Sequence, residues 1–168
     1  MRRLTLASFV VVALLDARAE SAPNDLIDPV AFRQSVTEAM RERDHRRVSE
    51  AEFIHMAGEP GTVVLDARSE RLFRLRHVKG AVNLSFPEFT EATLARTIPS
   101  KATRVLIYCN NNFRGAPESM PAKAVSSALN LSTFVSLYAY GYRNVYELAP
   151  AVDVAKSLLT FEGEAIDT

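Results

Sequence analysis

Arg104-Val105-Leu106-Ile107-Tyr108-Cys109-Asn110-Asn111-Asn112-Phe113-Arg114 is an apolar run that ends on a cysteine and passes straight into three asparagines. Four consecutive apolar residues with no polar alternation are expected of a strand covered on both faces, not of one with a wet side. The polar stretch after it marks the strand's carboxyl end. Working outward, further short runs stand at Thr62-Val63-Val64-Leu65, Ala81-Val82-Asn83-Leu84 and Asn144-Val145-Tyr146-Glu147-Leu148. Helical stretches lie among them at Glu70 to Leu75, Pro87 to Arg96 and about Leu131 to Tyr140, the last stopped by Gly141, and a final helix is expected near Val152 to Leu159. Strands alternating with helices predict an α/β fold with a mainly parallel sheet.

Upstream, Asn24 to Asp28 is polar between Pro23 and Pro29 and reads as a linker into a helix from about Val30 to Arg46. Phe32, Val36, Ala39 and Met40 lie at helical spacing, and Arg33, Arg41, Arg43, Arg46 and Arg47 make the opposite face basic. Such a helix is either a docking element or a solvated face packed by one stripe. Ser49 can cap a second helix through Glu52, with Phe53, Ile54 and Met56 as its buried side, and Gly58-Glu59-Pro60-Gly61 ends it.

The 168 residues, 48% apolar and 24% charged, suffice for one domain with a real core. Twenty Lys and Arg balance twenty Asp and Glu, so no basic excess points to nucleic acid or an acidic membrane surface. Arg2 and Arg3, the apolar run Leu4 to Leu15, and Ala17-Arg18-Ala19 follow the pattern of a secretory signal peptide. The run is too short for the roughly 20 residues that span a bilayer. The expectation is a periplasmic or secreted protein, free of the membrane after cleavage following Ala19, with 1–19 as leader and 20–47 as linker and first helix.

An exported chain with one cysteine cannot form an internal disulfide, so Cys109 is buried, reactive or paired with another molecule. Ligands of parallel α/β sheets collect beyond the carboxyl ends of the strands, where Cys109 falls. If the loop curls round the sulfur, successive backbone N–H groups form an anion-binding nest, and Arg114 adds a positive charge. Both would lower the thiol pKa from about 8.5 and equally stabilise a persulfide, Cys–S–S⁻. The alternative is a small buried hydrophobe followed by an ordinary turn.

Leu65-Asp66-Ala67-Arg68, then His77-Val78-Lys79-Gly80-Ala81-Val82-Asn83, then Val105-Leu106-Ile107-Tyr108-Cys109 with Arg114, then Gly141-Tyr142-Arg143-Asn144-Val145-Tyr146-Glu147-Leu148 resemble, in order and spacing, the landmarks of a rhodanese-like domain. The resemblance covers 48–159, leaving 160–168 as a tail. It implies a three-layer α/β fold with a central five-stranded parallel sheet and helices on both faces. It also implies sulfur transfer through a persulfide on Cys109, from a small sulfur-containing anion or persulfide donor to a thiophilic acceptor or partner protein. Asn110, Asn111, Asn112, Phe113, Arg114 and Gly115 would form the substrate loop. The same scaffold can also serve as a non-catalytic binding or sulfur-carrier module.

Four residues separate Cys109 from Arg114, whereas tyrosine phosphatases have five, so phosphoryl chemistry ranks low. Two departures from the family pattern stand out. The loop carries uncharged asparagines where thiosulfate-using members often have a basic residue and a glycine. Between Arg114 and Gly141 some 14 residues, about 115–128, look inserted; they would displace the next helix from the loop, form a lid over Cys109, or merely be tolerated at the surface. Asp66 is a strand-end carboxylate that could bond loop amides or pair with Arg68 or Arg114. Arg68 is a salt-bridge partner beside the site. His77 suggests a Cys–His dyad, but the resemblance makes it structural, ordering the turn into Gly80. No Cys/His/Asp spacing suits a metal and no phosphate loop suits a nucleotide, so neither metal nor cofactor is expected.

Overall fold

The structure, a computed structural model, describes residues 24–164. In chain order the elements are α1 (Pro29–Asp44), β1 (Arg47–Val48), α2 (Glu50–Ala57), β2 (Thr62–Asp66), α3 (Glu70–Leu75), β3 (His77–Val78), β4 (Val82–Asn83), α4 (Glu91–Thr97), β5 (Arg104–Tyr108), β6 (Phe113–Arg114), α5 (Leu129–Ala139), β7 (Val145–Leu148), β8 (Val152–Asp153) and β9 (Phe161–Glu162). Five strands form one parallel sheet in the order β1-β7-β5-β2-β4, with β5 at its centre.

Side chains alternate across a strand, so an apolar run on β5 feeds two cores. Val105 and Ile107 join Leu65, Phe134, Leu137 and Val145 on the face covered by α1, α4 and α5. Leu106 and Tyr108 join Val64, Phe53, Met56 and Leu148 on the other, against α2. The three-layer α/β architecture with a five-stranded parallel sheet is therefore present as the resemblance implied.

Local signals fix the helix ends that matter for the site. The Asp28 side chain accepts hydrogen bonds from the Val30 and Ala31 amides, and Pro29 supplies a fixed φ at the first helical position of α1. Ser49 caps α2 through the Glu52 amide. At the end of α5, Gly141 at φ 87° lets the Tyr142 amide reach Leu137 O and its own amide reach Tyr138 O, both at 2.9 Å, a Schellman closure.

Two elements depart from the sequence reading. The stretch from Pro87 to Arg96 is not one helix: a 3-10 turn at Phe86–Glu88 precedes α4, which starts only at Glu91 because Thr90 and Thr93 bond each other's backbone amides reciprocally. The helix expected near Val152 to Leu159 is absent. There the Asp153 carboxylate accepts from the Ala155 amide at 2.9 Å and closes a turn, and Val152–Asp153 pairs with β6 instead. Glu50 then holds Ser157 and Leu158 against α2. Residues assigned to a tail continue the domain: β9 pairs antiparallel with β3, and Phe161 meets Phe113 edge-on at 5.3 Å. The leader lies outside the described residues.

Candidate active site at the end of the central strand

Cys109 follows β5 directly in an extended conformation, and Asn110–Asn112 then make one 3-10 turn. The chain does not curl on round the sulfur as the nest reading expected. It leaves as β6, which buries Phe113 against Tyr108 and Phe161 and turns Arg114 out to solvent. Gly115, at φ 83°, then turns the chain where a Cβ would stand 3.0 Å from the Asp153 carboxylate.

The rest of the cradle comes from α5. Its N-cap, Ala128, has no side chain able to satisfy the helix's first amides. Those of Leu129 and Asn130 are directed at the Cys109 sulfur, together with the Asn111 and Asn112 amides from the turn. The thiol in effect caps α5, and the positive end of the helix faces it. The insert therefore does not displace the helix from the sulfur; it loops out from 115 and returns the chain to it at 129.

Cys109 is 2% exposed and borders a cavity of about 350 Å³, with Arg43, Arg114, Asn130, Leu131 and Glu147 also on its wall. Burial pushes the thiol above its ordinary pKa; the amides of Asn130, Asn111 and Leu129 pull it back, and the Glu147 carboxylate pushes it up again. The lowered value expected from the sequence is thus corrected: desolvation outweighs the amide dipoles and pushes the thiol up. Arg114 lines the cavity, and its side chain has no hydrogen bond or ion pair with any described residue.

The three asparagine side chains fasten the scaffold. Asn111 grips the insert at Lys123 by donating to its carbonyl at 2.8 Å and accepting from its amide at 3.0 Å. Asn112 accepts from the Cys109 amide and from Asn130, and donates to Leu148 O and Pro150 O after β7. Asn110 accepts from Arg68 at 3.4 Å. What these residues offer a ligand is backbone N–H.

Asp66, Arg68 and Tyr108 lie on the other face of the sheet, since Tyr108 and Cys109 point opposite ways. Arg68, 1% exposed, bonds both Asp66 oxygens and reaches Ser119 O at 2.9 Å, Arg76 O at 2.7 Å and Met120 Sδ at 2.8 Å. Burial opposes its charge, but the Asp66 carboxylate more than offsets this and holds the guanidinium above its usual value. Tyr108 donates to Asp66 at 2.6 Å; burial and then that carboxylate hold its phenol well above the ordinary range. This cluster braces the insert. His77 bonds Phe73 O through Nδ1 at 2.8 Å and stacks on the Phe73 ring at 3.8 Å, away from the cavity. The structure does not bring it to Cys109.

Sequence reasoning missed Glu147 and Arg43. Glu147, 4% exposed, sits on β7 opposite Ile107 of β5 and binds Arg43 of α1 in a bidentate pair at 2.5 and 2.6 Å, with Arg47 at 4.0 Å. A carboxylate inside the apolar run Val145–Leu148 was the available signal, since a buried charge needs a partner and α1 is rich in arginine.

A five-stranded parallel sheet with helices on both faces and a thiol at the carboxyl end of its central strand defines an α/β domain organised around a single cysteine. Residues 49–149 match the rhodanese-like domain model, and the chain belongs to that family. The fold is similar to that of the BH2092 protein of Bacillus halodurans, at 19% identity and a TM-score of 0.53 over 79% of this chain and 88% of that one. It is likewise similar to the rhodanese-like domain of the Anabaena Alr3790 protein, at 19% identity and a TM-score of 0.50 over 72% and 81%. A rhodanese from E. coli solved with anions aligns at 21% identity and a TM-score of 0.41 over 61% and 99%. No curated protein sequence matches the chain significantly.

Proposed function

We propose that this protein is a sulfurtransferase that carries sulfane sulfur on Cys109. The observation that carries the reading is the convergence of the Leu129, Asn130, Asn111 and Asn112 amides on that sulfur beside an open cavity. In the first step Cys109 thiolate attacks the outer sulfur of thiosulfate, forming the S–S bond of Cys–S–S⁻ and expelling sulfite with the electron pair of the broken bond. In the second, a thiophile such as cyanide takes the outer sulfur and returns the thiolate. The amides stabilise the persulfide anion, and Arg114 on the rim attracts the incoming anion. The raised thiol pKa makes the first step faster with rising pH.

The test is thiocyanate formation from thiosulfate and cyanide, which Cys109→Ser reduces to background. A second reading, a sulfur carrier or binding module, is favoured by the burial of Cys109, which pushes its thiol pKa up. Intact mass after thiosulfate treatment separates the two: a stable 32 Da adduct (roughly one sulfur atom) without turnover identifies a carrier, and no adduct a binding module. Export belongs to the same proposal, and an N-terminus at Glu20 on protein recovered outside the cytoplasm is its expected signature.

A further inference from the structure

The thiol loop has a second side. Toward Cys109 its asparagines present backbone N–H, but Asn110, 1% exposed, lines a separate cavity of about 280 Å³ that Cys109 does not border. The Arg68 guanidinium has only donors, so the Asn110 side-chain oxygen faces it and the NH₂ group points away. That NH₂ has no acceptor among the described residues. Donors buried this deeply are nearly always satisfied in folded proteins, and an acceptor placed in the cavity would complete this one.

Lys123 of the insert stands on the same wall, and its ammonium has no ion pair with any described residue. Ser69 and Ser85 lie where the cavity meets a wider cleft beside α3, and neither hydroxyl makes a hydrogen bond among the described residues. No described Asp or Glu lines the cavity. Arg68 reaches it with its donors already committed to Asp66, Ser119 O and Arg76 O. The rest of the wall is apolar, from Leu72 of α3 through Phe86 and Pro87 to Leu129 of α5. One uncommitted cation, an unmet amide and two hydroxyls set against hydrocarbon suit a singly charged anion with an apolar body.

We propose that this cavity binds a small monocarboxylate, with its head at Asn110 and Lys123 and a body about the size of benzoate against Leu72, Phe86 and Leu129. The site is distinct from that of the thiol. Asn111 lines the thiol cavity and Lys123 this one, and the paired hydrogen bonds between those two residues stand at the partition. The inference is independent of the sulfurtransferase reading, and turnover plays no part in its test.

The experiment titrates the intact protein with benzoate, benzamide and acetate by calorimetry, and follows the Asn110 side-chain NH₂ signals by NMR. Benzoate should bind more tightly than acetate, which leaves the apolar wall uncovered, and than benzamide, which lacks the charge. It should also shift the Asn110 signals. Asn110→Asp, nearly isosteric, replaces the donor with a carboxylate and should weaken benzoate at least about tenfold, the usual worth of a hydrogen bond to a charged group. Lys123→Gln changes only an exposed side chain, so the fold is kept; it should weaken benzoate about three- to fivefold and leave benzamide unchanged. Equal binding of benzoate and benzamide, or no binding of any of the three, overturns the proposal. So does loss of benzoate binding in Arg114→Gln with none in Asn110→Asp, which would put the anion in the thiol cavity.

Discussion

Two buried carboxylates sit near the carboxyl ends of β2 and β7, the strands on either side of β5, each held bidentately by an arginine, and they serve different ends. Asp66 and Arg68 are two residues apart and sealed among Ser119 O, Arg76 O and Met120, so their charge has no further outlet. Glu147 and Arg43 are 104 residues apart and border a cavity that also holds a thiol. The difference lies in the remaining surface: a pair whose every direction is satisfied acts as a fastener, while a pair left open on one side projects its field into whatever enters.

Removing each arginine breaks the comparison most directly. Arg68→Met should cost about 3–5 kcal/mol, the usual effect of stranding a buried charge, and the insert should become protease-sensitive. Arg43→Met should cost less, about 1–2 kcal/mol, because Glu147 can hydrate through the cavity and Arg47 stays within reach. Urea unfolding checks both, and equal losses would show that the cavity gives Glu147 no water.

A subtler probe is Glu147→Gln. It removes a negative charge that faces Cys109 while Arg43, Arg47, Arg114 and the α5 amides remain. The iodoacetamide reaction of Cys109 should shift to lower pH, and in Arg43→Met to higher pH. An unmoved profile in both variants would mean that Glu147 and Arg43 form a second fastener.

The smallest effect concerns stability against pH. Cys109 has a folded pKa above its unfolded value, so the native state holds the proton more tightly. That contribution is complete below about pH 8.5, the unfolded value. It is lost as pH rises from there through the folded pKa. Cys109→Ala should abolish this alkaline slope and, by uncapping α5, cost about 1 kcal/mol at neutral pH; Cys109→Ser, which can still accept from the helix amides, should cost less.

Where signals were local, the sequence was legible. Strand Arg104–Tyr108 and helix Glu70–Leu75 fall where periodicity put them, and Ser49 caps as its spacing to Glu52 implied. The family landmarks located Cys109 and the sheet. The helix near Val152 to Leu159 failed because Asp153 offers the backbone a turn that competes with helix. The Cys109 environment was half legible. That the sulfur meets peptide amides was foreseen, but which amides depended on the insert returning to it, and the grip of Asn111 on Lys123 is a tertiary fact. The sign of the pKa shift followed from depth, which spacing does not reveal.

The wall that α1 gives the cavity has a kinetic corollary. Arg43 meets Glu147 only when one of the first described helices closes on one of the last strands of the sheet, and the closing of so long a loop is entropically slow. During refolding, the sulfur should therefore remain open to alkylation after most helix signal has returned, and acquire its native protection in the final phase.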